Sequence, residues 1–135
     1  LIGGTDAHAK NYSLLLSGRD VRLAPLYDIS SVLPYLGERD PEGVMLHERR
    51  MRMAMKVGGE ADLAPPRNTW PRAAAELGLP ADALVARVET LASATPTAFE
   101  AAAADAGVAG LESPVVQRLV ERVAERAARC QAVLA

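Results

Sequence analysis

The chain of 135 residues is poor in aromatic side chains, with one tryptophan, one phenylalanine and three tyrosines, and it has a single cysteine. One thiol, Cys130, allows no internal disulfide and no zinc site built on several thiolates, and it fits a reducing cytoplasm. Histidine is scarce: there are two, and His47-Glu48 lacks the second histidine that a helical zinc-protease motif needs four positions on. No apolar run reaches membrane-spanning length before a charge breaks it, and no signal peptide is visible, so no membrane partner is expected. Neither sign of charge dominates. The formal net charge of −2 gives no support for direct nucleic-acid binding. Glycine pairs occur at Gly3-Gly4 and Gly58-Gly59, but neither has the spacing of a phosphate-binding loop, and each reads as a turn. What remains is apolar residues rich in alanine, which loses no side-chain entropy in a helix. The chain therefore reads as one mainly α domain.

Punctuation divides it. Residues 12–25 predict a β-hairpin, with Leu14, Leu15 and Leu16 before the turn residues Gly18-Arg19-Asp20, and Val21 and Leu23 after them. Residues 26–40 read as irregular with one short helix. Residues 41–60 fit two patterns: Met51, Met53, Met55 and Val57 alternate as in a strand, whereas Met45, Leu46, Met53 and Ala54 suit a helix. Residues 61–68 read as a loop. Four helices follow. Thr69 caps one that ends at Gly78. Pro80 opens the next, with Leu84, Val85, Val88, Leu91 and Ala92 on its apolar face. Thr95-Pro96 and Ser113-Pro114 each supply a cap and a first-turn proline, and Gly107 ends the helix between them. The last helix buries Val116, Leu119, Val120, Val123, Ala127 and Cys130 at helical spacing. Arg118, Arg122, Arg126 and Arg129, with Glu121 and Glu125, read as its exposed face. Trp70 reads as a packing anchor, and Arg49, Arg50 and Arg52 as a solvated basic face.

One stretch is out of keeping with this helical chain. Thr5-Asp6-Ala7-His8-Ala9-Lys10-Asn11 places an acid, an imidazole, an ammonium and an amide in seven positions. Phosphoryl transfer uses such a set: a carboxylate positions the attacking hydroxyl, and an amide oxygen with a second carboxylate holds Mg²⁺ against the phosphates. In protein kinases the base and the metal-binding asparagine lie five residues apart, and a hairpin leads on to the second metal ligand. Asp6 and Asn11 are five apart, and Asp28 lies just beyond the predicted hairpin.

The string Leu1-Ile2-Gly3-Gly4-Thr5-Asp6-Ala7-His8-Ala9-Lys10-Asn11 resembles the catalytic loop of the HipA family, kinase toxins of bacterial toxin–antitoxin modules. Arg22-Leu23-Ala24-Pro25-Leu26-Tyr27-Asp28-Ile29-Ser30-Ser31 resembles that family's metal-binding segment, and Met53-Ala54-Met55-Lys56-Val57-Gly58-Gly59 continues the likeness. The resemblance implies the C-terminal helical lobe of a protein-kinase-like fold, with residues 1–40 carrying the catalytic loop, hairpin and metal-binding segment and 41–135 a mostly helical body. It implies Asp6 as catalytic base, Asn11 and Asp28 as Mg²⁺ ligands, His8 and Lys10 shaping the loop or neutralising phosphate, and Tyr27 near the nucleotide. His8 stands where ordinary protein kinases place a lysine. ATP is the implied co-substrate and a serine or threonine hydroxyl on a protein the acceptor. A HipB-like antitoxin, DNA reached through it, and an aminoacyl-tRNA synthetase target are the implied partners. The family's upstream phosphate-binding lysine and loop do not lie in residues 1–135. The chain is therefore expected to be cut at its N-terminal side, to expose apolar surface, and to be inactive alone. Two rival readings are a non-catalytic helical module that binds an antitoxin or DNA, and a metal-dependent phosphoesterase built on Asp6-Ala7-His8.

Overall fold

The computed structural model describes residues 1–134. The expected hairpin forms β1 (Leu14–Ser17) and β2 (Asp20–Leu23), antiparallel, with Leu14 opposite Leu23 and Leu16 opposite Val21. These two cross-strand pairs put four apolar side chains on one face, and every residue of both strands is exposed. The irregular segment after it holds a single 3-10 turn, Leu33–Tyr35, which sets Leu33 into the core.

Residues 41–60 resolve in favour of the strand pattern. A 3-10 turn at Glu48–Arg50 leads into β3 (Arg52–Val57), which pairs antiparallel with β4 (Glu60–Asp62). A break in register between Arg52 and Val57 disturbs the alternation. Met53 and Val57 are half-buried while Met55 is exposed. Strand β4 also takes the first residues of what reads as a loop over 61–68. Gly58 at the turn (φ +54°) is required there, because a Cβ would fall 2.2 Å from the Thr69 carbonyl oxygen.

The helices are α1 (Thr69–Leu77), α2 (Ala81–Ala103), α3 (Ala106–Ala109) and α4 (Pro114–Leu134). Helix α2 packs along α4, α1 packs on α2, and the 3-10 turn of Leu33 lies against α4. Leu33, Leu63 and Val123 form the centre, with Met51, Met53, Phe99 and Leu119 packed around them. Ala73, Ala74, Val88, Ala92 and Ala127 are buried on the helices, where small side chains permit close approach. The expected stripe of α4 is present, with Val123 and Ala127 fully buried.

Three helix boundaries differ from expectation. Asn68, not Thr69, occupies the cap position of α1, and Thr69 is a fully buried first-turn residue whose hydroxyl has no partner. Pro96 does not open a helix; α2 runs through it, and the Thr95 hydroxyl turns back to the Leu91 carbonyl. Gly107 does not end a helix but lies inside short α3, whose cap is Asp105: the Gly107 N–H donates to the Asp105 carboxylate at 2.9 Å. Ser113 caps α4 as expected, accepting from Val115 N–H at 3.3 Å.

Candidate functional site

The polar loop is seated on the core through its backbone. Gly3 has φ +69°, and a Cβ there would fall 2.6 Å from Leu33 Cγ, so only glycine lets the chain lie this close to the core. Its carbonyl accepts from Val32 N–H at 3.1 Å, and the Thr5 carbonyl accepts from Ala54 N–H in β3 at 2.9 Å. The loop is thus fixed on two sides immediately before Asp6. The Asp6 side chain is exposed and makes no hydrogen bond or ion pair among the described residues.

A 3-10 turn at Ala9–Asn11 then closes on itself. The His8 N–H donates to Asn11 Oδ1 at 2.9 Å, and the Asn11 N–H donates to the His8 carbonyl at 3.0 Å. These bonds hold Asn11 in place with only 6% of its surface exposed. His8 Nδ1 is buried without a partner. Lys10 is exposed, and its carbonyl accepts the hydroxyl of Tyr27.

Asp28 follows β2 in a left-handed conformation, φ +54°, which few residues other than glycine adopt without support. Its carboxylate is exposed and unpaired among the described residues. Asn11, Tyr27 and Asp28 line one cavity of about 460 Å³, whose remaining wall is largely apolar. Asp6, His8 and Lys10 do not line it. The fold therefore brings Asn11, Tyr27 and Asp28 together and leaves the other three sequence candidates on the loop beside them.

The donor chemistry of the pair suits a hard cation. Asn11 Oδ1 keeps a lone pair beyond the one that His8 N–H uses, and the Asp28 carboxylate is free. Mg²⁺ takes oxygen ligands and retains waters or substrate phosphate oxygens, so two protein ligands are enough. Among the described residues there is no cluster of three or more histidine, cysteine or acidic side chains.

The cavity is also lined by a charge cluster that the sequence reading missed. The buried Arg126 donates to the Glu48 carboxylate and to the Leu63 carbonyl, and Arg129 reaches Glu48 at 3.1 Å. Burial lowers the pKa of Arg126, while Glu48 beside it raises it. Arg118 pairs with Glu38 and Arg122 with Glu125 at 3.2 Å; Arg122 and Arg129 are exposed as expected, Arg118 partly so, and of that row Arg126 alone is buried. The signal was present: Arg126 stands three residues after Val123 and four before Cys130, squarely on the apolar stripe.

The sequence profile of the HipA-like C-terminal domain matches residues 1–129. The chain is 27% identical over 128 residues to Y4mE of Sinorhizobium fredii, a protein named provisionally as a kinase, covering 94% of this chain and 28% of that one. Among solved structures it is similar to a chain of the Shewanella oneidensis MR-1 toxin–antitoxin complex of HipA, HipB and operator DNA, with a TM-score of 0.72 and 22% identity over 98% of this chain and 29% of that one. The chain thus spans between a quarter and a third of the length of these relatives.

Proposed function

Because the chain belongs to the HipA-like C-terminal domain family, we propose that it is the catalytic-loop portion of a longer serine/threonine protein kinase acting as the toxin of a toxin–antitoxin module. The observation that supports this reading is that Asn11 and Asp28, which the hairpin separates in sequence, line the same cavity. Residues 1–40 would supply the reacting groups and 41–135 the body that seats them, with the phosphate-binding lysine and loop contributed by the rest of the longer protein. The match to a fraction of each relative's length is consistent with that division.

In this reading Asp6 accepts or orients the proton of the attacking hydroxyl. Its exposure on a loop anchored at Gly3 and Thr5 leaves it reachable by a protein substrate. Asn11 and Asp28 hold Mg²⁺, which when bound would neutralise charge on the ATP phosphates. Lys10 and His8 flank the phosphates, and Tyr27 lies beside the nucleotide. The HipA–HipB–DNA complex supports a HipB-like antitoxin as partner, with DNA contacted through it. An aminoacyl-tRNA synthetase is the substrate class that family resemblance favours. No helix among the described residues is long and apolar enough to cross a membrane.

The test uses the longer natural protein, freed of prior autophosphorylation, with labelled ATP and Mg²⁺. Asp6→Ala and Asp28→Ala should each lower phosphate transfer by about a hundredfold or more while leaving the fold intact. No transfer from the folded wild type, with antitoxin binding retained, would instead favour the non-catalytic interaction module.

A further inference from the structure

Asp28 stands in a segment with few anchors. Over residues 25–30, no backbone N–H or carbonyl joins a hydrogen bond among the described residues, and the flanking bonds are those of Ala24 N–H to Ser13 and Val32 N–H to Gly3. Leu26, Tyr27 and Ile29 are half or more exposed, so apolar packing does little to fix the segment. Yet Asp28 holds φ +54°, a conformation that persists only where neighbouring structure enforces it. One bond crosses from this segment to the polar loop: the Tyr27 hydroxyl donates to the Lys10 carbonyl, one residue before Asn11.

We propose that Tyr27 is a positioning residue whose hydroxyl straps the Asp28 segment to the Asn11 turn and so sets the affinity of the pair for a divalent cation. This rests on the reading of Asn11 and Asp28 as metal ligands and adds to it a role for Tyr27 separate from any contact with nucleotide. Asn11 has its own fixings, through His8 on both its backbone and its side chain. Asp28 has none except through its neighbour. Residues that orient a metal ligand without touching the metal commonly control affinity this strongly.

Tyr27→Phe separates the two roles, because it keeps the ring and removes only the hydroxyl. The whole chain is titrated with Mn²⁺ alone, followed by electron paramagnetic resonance, and amide hydrogen exchange is measured in parallel without metal. Tyr27→Phe should weaken Mn²⁺ binding by about tenfold. It should also speed exchange at the Ala24 and Val32 amides, whose bonds flank the Asp28 segment, while leaving the self-anchored His8 and Asn11 amides, the α4 amides and the melting temperature unchanged. Unchanged exchange would overturn the strap whatever the metal does. Faster exchange with Mn²⁺ affinity unchanged in Tyr27→Phe, but lost in Asp28→Asn, would overturn control of the metal by Tyr27 and leave the ligand reading standing. No Mn²⁺ binding by the wild type would overturn the claim about affinity together with the ligand reading.

Discussion

Gly3 joins the core to the polar loop, and its requirement is doubly set, by φ +69° and by Leu33 beneath it. Gly3→Ala should cost about 2–4 kcal/mol, the sum of left-handed strain and overpacking. Urea denaturation of the chain would measure it, and a loss below about 1 kcal/mol would mean that Leu33 gives way easily. Glu48 makes a second residue-scale case. Removing it leaves Arg126 buried with one partner fewer, so Glu48→Ala should destabilise by about 3 kcal/mol. Arg122→Ala, which breaks an exposed pair on the same helix, should stay within about 0.5 kcal/mol. Asp6, Asn11 and Asp28 stand out in the sequence because their order and spacing are themselves the signal. Arg126 was passed over although its spacing from Val123 and Cys130 puts it on the apolar stripe, because a charge among other charges was assigned to solvent.

At the scale of elements, the sequence signals held where local chemistry was unopposed. Ser113-Pro114 opens α4, Gly78 closes α1, and Gly18-Arg19 turns the first hairpin. Thr95-Pro96 carries the same local cue and fails. Proline lacks an N–H, so the Ala92 carbonyl loses its helical donor. Even so, α2 continues, because Ala92 on one side and Phe99 on the other are packed into the core against α4. Tertiary contact outweighs the local preference, and no single-residue signal reports it. Pro96→Ala should therefore stabilise the chain by about 1–3 kcal/mol, by restoring the bond to Ala92 and removing the clash of the ring with the preceding turn. A raised melting temperature is the expected result. A lowered one would mean that the proline ring packs better than alanine at this position. The second hairpin was ambiguous for a different reason: Met45, Leu46, Met53 and Ala54 offer a helical spacing beside the Met51–Val57 alternation, and only the pairing of β3 with β4 decides between them.

Across the whole molecule, one cluster of exposed apolar side chains lies on the first hairpin and the segment after it. Leu14, Leu16, Val21 and Leu23 on one face of the hairpin are each more than half exposed, as are Leu26, Tyr27 and Ile29 or nearly so. A contiguous face of this kind favours association. Sedimentation at rising concentration should show self-association, and Leu16→Lys with Val21→Lys should reduce it.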